Sequence, residues 1–460
     1  MGVACDEARI TACRMLQEVL ENQGYSNLVI KQELRGSTIS SRDRAFATAL
    51  FYGTITRVHT LDYVLNHYLK KDISTLKPLV RTCLRMGAWQ ILFSYGVKAY
   101  AAVDSSVALI KSESNSGAAG LVNAVLRRVA SEGKEYLASI PQKNLAARYS
   151  LKPEIAGCFQ KWFGREKAES ILQAFLSEPE VTIRRNILRS PDQESFMKML
   201  QKDGIDVTAN TEVPDSYTIH SEGKDISETS AFAEGFCSVQ SLSAMLVAHI
   251  LEPRPGESVL DTCSAPGGKT THIAELMQGQ GRIDALDASA IRLSMVDEAA
   301  ERLGISIIHT FAYDATYLTE EKDVLASSYD HVLCDVPCSG LGLLHRKPDI
   351  RLSMTYEKIQ SLVPVQKSIL ENSAARVKTG GTLIYSTCTI DPLENERQIE
   401  VFLSEHSDFE TVPFDMLLSE ELSQNERLVS EASAGMMTLL PDEGAFDGFF
   451  IAKLRRKQNG

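Results

Sequence analysis

Between residues 8 and about 135, apolar positions recur every three or four residues, the period of a helix with one buried face. Ile10, Cys13, Leu16 and Val19 form one stripe, and Val122, Val125, Leu126 and Val129 form another. Val80, Leu84, Gly87 and Ile91 form a third, behind a Pro78 that suits the first turn of a helix. Ser40 and Asp43 resemble a capping box ahead of "RAFATALFYGTITRVHTLDYVL". Strand-like alternation is scarce, so the pattern predicts an all-α bundle of about six or seven helices.

A further helical stretch, "KPEIAGCFQKWFGREKAESILQAFL", leads into "EPEVTIRRNILR", whose residues 181–189 read as a strongly basic strand. One helix ("SPDQESFMKMLQKDG") and two short strands ("DVTAN", "SYTIH") follow. Together they suggest a small α+β module of about fifty residues, too small to fold alone. From Ala231 onward, short apolar runs alternate with helical stretches, the mark of a parallel α/β sheet. The expected strands are "SVLDT", "RIDALDA", "IIHTFAYDA", "HVLCDVP" and "GTLIYSTC", and a hairpin-like pair, "MMTLLP" and "GFFIAKL", ends the chain.

Composition narrows the class. The chain has 460 residues, 44% hydrophobic and 23% charged, which fits a soluble protein of two or three domains. No apolar run is long enough for a membrane span, and "MGVACDEARI" has neither a secretory apolar region nor a Ser or Thr at the myristoylation position. Nine scattered cysteines point to free thiols in a reducing cytoplasm. The net charge of −12 is unevenly spread: residues 1–145 hold 18 Lys and Arg against 12 Asp and Glu. A basic front joined to an acidic remainder suits contact with a polyanion; a solvated basic face accounts for it equally well.

The stretch "VLDTCSAPGGKTTHIAE" invites a P-loop reading, because Gly-Lys-Thr opens a helix. A P-loop needs glycine where Cys263 stands, and Pro266 restricts the turn. Asp335 after "HVLC" would serve as the acid of the second NTPase motif. The competing reading is a glycine loop beyond a strand of a doubly wound sheet, with an acid about twenty residues on for ribose hydroxyls. Asp287 follows Gly267 by that interval, and Asp261, Asp287 and Asp314 each end a strand. Such a row repels phosphates but suits ribose hydroxyls, an adenine amine and a cationic centre, which describes S-adenosylmethionine. NAD fits less well because its pyrophosphate motif is missing. For any single acid, capping the next helix is the plain alternative.

Cys338 in "DVPCSGLG" and Cys388 in "YSTCT" each follow a predicted strand. If those strands are neighbours, both thiols emerge at the edge that carries the glycine loop. A lone cysteine is usually inert packing, and Cys334, Cys338 and Cys388 lack the paired spacing of a zinc site, so no metal is expected. Beside a methyl donor, a thiolate can add to carbon-6 of cytosine and make carbon-5 nucleophilic, with a second group removing the carbon-5 proton. A carboxylate at Asp335 would hold the nitrogen-3 edge of the ring.

With these motifs in order, the chain resembles the Sun/Nol1/Nop2 family of RNA cytosine-carbon-5 methyltransferases, most closely its bacterial branch acting on small-subunit rRNA. The family's cofactor loop matches residues 265–270, its Asp-Ala-Pro-Cys-Ser-Gly matches residues 335–340, and its Ser-Thr-Cys-Ser matches residues 386–389. The resemblance implies Cys388 as nucleophile and Cys338 as the thiol assisting release, with Asp335 beside them. It implies that Cys263, Ser264, Ala265, Pro266, Gly267, Gly268, Lys269, Asp287, Asp314 and Asp335 surround S-adenosylmethionine. Residues 184–189 resemble the basic strand of the family's small RRM-like module, and residues 392–396 and 447–450 complete the pattern. The chain departs from it at Ser241, where an acid is usual, at Val336 and at Tyr313. Ser241 can still cap a helix.

The implied fold class is α/β, a Rossmann-like methyltransferase domain preceded by an all-α NusB-like bundle and an α+β RRM-like module. The boundaries follow as 1–142 for the bundle, 143–180 for a helical connector, 181–228 for the module and 229–456 for the catalytic domain. The expected protein is a cytoplasmic monomer that binds small-subunit ribosomal RNA and no membrane. A tRNA cytosine methyltransferase, a non-catalytic RNA-binding factor and a P-loop NTPase are the alternatives. The basic front, "RRNILR" and the His345-Arg346-Lys347 run are expected to meet phosphates.

Overall fold

The computed structural model describes residues 6–22, 24–35, 39–112, 116–190, 192–220, 224–317 and 325–458. It divides into two compact units, Met1–Glu178 with Leu344–Tyr356, and Pro179–Leu343 with Glu357–Gly460.

The first unit is helical throughout its described residues. Seven α-helices run from Glu7–Asn22 to Ala119–Ala138 and bury the three apolar stripes around one core. The side chain of Ser40 accepts from the Asp43 amide and caps the helix Ser41–Thr56. Pro78 opens the helix Pro78–Leu92 at its first position, where a missing N–H costs nothing. These two helices approach closely at Gly53, because any side chain there would run into the Trp89 ring. The helices Leu145–Tyr149 and Pro153–Ala174 follow, the second kinked at Gly164.

Sequence reading did not anticipate that residues 344–356, far along the chain, belong to this unit. Leu352 packs against the helical core. Arg351 is buried and donates to the carbonyls of Tyr149 (2.7 Å), Ser150 (3.2 Å) and Phe175 (2.9 Å). Burial and the nearby Arg57 push its pKa down to about 9. His345, from the basic run expected to meet phosphates, stacks on Phe175 with ring centroids 5.5 Å apart.

The second unit holds two sheets. The smaller is antiparallel, with strands β1 (Thr182–Arg185), β2 (Val207–Ala209), β3 (Ser216–Ile219) and β4 (Cys237–Val239) in the order β2-β3-β1-β4. The helix Gln193–Lys202 contributes Phe196 and Leu200 to a core with Ile183 and Tyr217. Two expectations are corrected here. The basic strand stops at Arg185 because Asn186 turns the chain: its side chain accepts from the Leu188 amide and donates to the carbonyls of Gly235 and Leu303. Arg184 and Arg185 of "RRNILR" are buried rather than turned toward phosphates, whereas Arg189 is exposed. Arg184 pairs with buried Glu275 at 2.7 Å, Arg185 pairs with Asp215, and Arg189 donates to the carbonyls of Leu303 and Glu234.

The larger sheet contains β5 (Ser258–Asp261), β6 (Arg282–Asp287), β7 (Ile308–Ala312), β8 (Tyr329–Asp335) and β9 (Val377–Thr387). It continues through β10 (Phe409–Thr411), β11 (Met436–Leu439) and β12 (Phe449–Arg456). Its order is β10-β12-β9-β8-β5-β6-β7, with β11 also on β12. Strands β5 to β9 pair in parallel; β12 runs antiparallel to β9, β10 and β11, so the sheet is mixed rather than wholly parallel. From β5 the chain passes to β6 on one side and later to β8 on the other. This reversal of direction opens a crevice at the carboxyl ends of the strands. Among the described residues, no helix is long and apolar enough to cross a membrane.

Candidate active site

The loop after β5 is fixed by backbone bonds before it reaches the helix Gly268–Leu276. The Ser264 amide and hydroxyl both donate to the Leu286 carbonyl at the end of β6, at 2.7 and 2.9 Å. Gly267 turns the chain at φ +100°, and a side chain there would also press on Val296 at 3.1 Å. Behind the loop lies a cavity of about 210 Å³ lined by Cys263, Ser264, Ala265, Pro266, Gly268, Lys269 and Asp335 of the expected set. Its remaining walls are Asp261, from the acid row, and Val239, Gln240 and Ala244, which the sequence reading did not select.

Asp335 is the electrostatic centre. One of its oxygens accepts from the Lys269 ammonium at 2.6 Å, and the other accepts from the Ser386 hydroxyl at 2.7 Å. Burial works against the charge on Lys269, but the Asp335 carboxylate, with Cys388 beyond it, outweighs burial and holds its pKa above the usual value. Lys269 also sits over the Phe449 ring, 5.1 Å from its centre. In a P-loop this lysine would reach for phosphate; here a carboxylate holds it. Asp261 lies beneath the loop and accepts from the Thr270 hydroxyl at 2.7 Å. Burial pushes its pKa up to about 7, and Asp335 adds to the effect.

The other two acids of the row stand differently. Asp287 is buried at the end of β6, accepts from the Ser289 amide at 2.9 Å and faces Arg292 at 3.4 Å. Exposed Asp314 caps its own turn, accepting from the Thr316 amide and hydroxyl at 2.9 and 2.7 Å. Neither lines the cavity. Ser241 occupies the N-cap position of the helix Leu242–Leu251 but makes no side-chain cap bond, contrary to its expected part.

The register Asp335↔Ser386 between adjacent parallel strands β8 and β9 brings the two thiols together. The Cys338 and Cys388 sulfurs are 3.3 Å apart. The hydrogen bond to Cys388, together with burial, raises the pKa of Cys338 well above the usual thiol value. The two sulfurs share one hydrogen bond, in which either thiol can be the donor. Cys334, which faces the core, is pushed up to about 12 by burial, and Cys263 is raised well above the ordinary value for the same reason. Cys5 lies outside the described residues, and the other eight cysteines form no disulfide among the described residues.

A doubly wound core extended by antiparallel strands, with a glycine loop at its switch point and two thiols beside it, defines the class of Rossmann-like methyltransferases. Residues 248–455 match the family described as 16S rRNA methyltransferase RsmB/F, and residues 6–131 match the NusB family. The chain is 36% identical to "Probable ribosomal RNA small subunit methyltransferase B" of Synechocystis sp., covering 98% of this chain and 99% of that one. It is 35% identical to the protein of the same name from Bacillus subtilis, covering 98% of each. Among solved structures it is similar to the crystal structure of PH0851, with a TM-score of 0.79 and 25% identity over 96% of this chain and 98% of that one. The chain belongs to the RsmB/F family of rRNA methyltransferases and is an S-adenosylmethionine-dependent enzyme with a NusB-family domain in front.

Proposed function

We propose that this enzyme transfers a methyl group from S-adenosylmethionine to carbon-5 of a cytosine in small-subunit ribosomal RNA, with Cys388 as the covalent nucleophile. The relatives' names support the substrate. The observation that carries the chemistry is the pair of sulfurs 3.3 Å apart.

The site suits the cofactor. Gln240 has a buried side-chain nitrogen without a hydrogen-bond partner and stands in the cavity wall, ready to donate to a ligand. The loop residues 263–269 would hold the cofactor, with Asp287 toward its ribose hydroxyls and Asp314 at the outer edge. When bound, S-adenosylmethionine supplies an electrophilic methyl group. Cys388, favoured as an anion by nearby Lys269, adds to carbon-6 of the cytosine. Asp335, fixed by Lys269 and Ser386, meets the nitrogen-3 edge and steadies the adduct. After transfer, loss of the carbon-5 proton lets the carbon-6–sulfur bond break and restores the ring. Cys338 acts as the base: its thiol first gives up its proton to solvent, and the resulting thiolate, whose proton affinity Cys388 and burial raise, takes the carbon-5 proton. The cytosine must leave any stack to reach the thiol, which favours a loop or melted segment.

In this reading residues 1–142 form the RNA-binding bundle, 143–180 a connector, 181–228 an RRM-like module and 229–456 the catalytic domain, in a cytoplasmic monomer. Cys388→Ala should abolish methylation while leaving cofactor affinity intact. Cys338→Ala should complete methyl transfer and then stall, leaving a protein–RNA complex that survives denaturing electrophoresis and needs Cys388. Normal turnover by Cys338→Ala, or a trapped complex in the double variant, would show that the roles are wrongly assigned.

A further inference from the structure

A cysteine has a single rotatable side-chain bond with three staggered wells. The position of its sulfur is therefore set by the backbone on either side. The 3.3 Å spacing of Cys338 and Cys388 requires that both backbones be held, and two consecutive residues hold them.

Glu394 is fully buried. Its carboxylate accepts from the Ser339 amide at 2.8 Å, from the Ser339 hydroxyl, and from the Gln366 side-chain nitrogen at 2.8 Å. The same Gln366 nitrogen donates to the Pro337 carbonyl at 3.1 Å. The residues just before and just after Cys338 thus hang from one carboxylate. Asn395 does the same for the other thiol. Its side chain accepts from the Thr387 hydroxyl at 2.6 Å and donates to the Thr389 carbonyl at 3.0 Å, on either side of Cys388. Ser339 and Thr389 close the frame through their hydroxyls, 2.8 Å apart.

Neither Glu394 nor Asn395 lines the cofactor cavity. Burying a carboxylate without a cation is costly, and burial raises the pKa of Glu394 accordingly. The carboxylate's bonds go to the backbone and side chains flanking Cys338, so that cost falls at the thiol. We infer that Glu394 and Asn395 are positioning residues, Glu394 setting Cys338 for product release and Asn395 setting Cys388 for attack on the base. The inference rests on the thiol roles proposed above and adds a division of labour between two adjacent side chains.

That division gives opposite signatures in the full-length enzyme, tested with small-subunit ribosomal RNA and S-adenosylmethionine labelled on its methyl group. Glu394→Ala should leave the first methyl transfer within about threefold of normal and slow release about ten- to a hundred-fold, so the denaturant-resistant complex accumulates. Glu394→Gln should restore release, because an amide can turn its oxygen to the Ser339 amide and Gln366 and its nitrogen to the Ser339 hydroxyl. Asn395→Ala should slow the first transfer itself about ten- to a hundred-fold, with no complex accumulating. Should Glu394→Ala fail to fold, Gln366→Met removes the bond to Pro337 and should give the same accumulation in milder form. Cys338→Ala is run alongside. Accumulation in Cys338→Ala but in neither the Glu394 nor the Gln366 variant would overturn the positioning role and leave the thiol assignment standing. No accumulation in Cys338→Ala would overturn both. Identical behaviour of the Glu394 and Asn395 variants, with cofactor affinity lost in each, would reduce the pair to a structural role and overturn the inference.

Discussion

Single residues carry the chemistry here only through their partners, and the partners are what the sequence conceals. Lys269 and Asp335 are recognisable as site residues from their motifs, yet nothing in the spacing says that they pair with each other across 66 positions. Gln240 is less visible still, since only its place before a helix hints at the cavity. The acid row is the reverse case. Asp261 and Asp335 reach the cavity, whereas Asp314 does what a lone acid after a strand ordinarily does and caps its turn. Asp287 stands between these outcomes, buried beside the loop and engaged by Ser289 while only loosely facing Arg292. If it holds the ribose hydroxyls, Asp287→Ala removes a charge-assisted hydrogen bond. That loss costs about 1.5–3 kcal/mol, roughly ten- to a hundred-fold in affinity. Calorimetry with S-adenosylmethionine measures it directly, and an unchanged affinity in a folded variant would take Asp287 out of the site.

Among elements, the long apolar runs were the legible ones. Strands β5, β6, β7 and β11 fall within the stretches picked out by pattern, and β8, β9 and β12 overlap theirs but run past them at one end. The three-residue strands β4 and β10 were not picked out, although the equally short β2 was. The basic strand was misread for a different reason. Composition reports charge, whereas exposure depends on what packs above it. Arg184 is 1% exposed and meets Glu275, 91 positions away. This pair ties β1 to the helix that follows the cofactor loop, so Arg184 belongs to the scaffold rather than to the RNA interface. Removing one partner of a buried ion pair costs about 3–5 kcal/mol. Arg184→Ala should lower unfolding stability by about that amount in denaturant titration while leaving the salt dependence of RNA binding untouched. A shallower salt dependence with undiminished stability would return Arg184 to the RNA-binding surface.

For the whole molecule, the open question is which charges meet the RNA. Arg184 and Arg185 of "RRNILR" are engaged internally, Arg189 is exposed and donates to backbone carbonyls, and among the described residues of the basic front Arg81 and Arg85 are held by Glu21 and Asp62. Exposed lysines remain, among them Lys70, Lys71, Lys77 and Lys98. Deleting residues 1–140 is too blunt a test of their part. It would take away Ser26, which donates to Asp349, and His59, which bonds the Arg351 carbonyl, and so uncover the inserted segment Leu344–Tyr356. Neutralising charge is cleaner, because an exposed Lys→Gln change leaves packing alone. Each phosphate neutralised on a single strand contributes about 0.7 to the slope of log affinity against log salt. Replacing Lys70, Lys71, Lys77 and Lys98 together with Gln should weaken RNA binding at low salt. It should also flatten that slope by about 0.7 for each lysine that touches phosphate, with cofactor affinity unaffected. An unaltered slope would mean that these lysines are solvated charge, and that RNA is met through other residues of the chain.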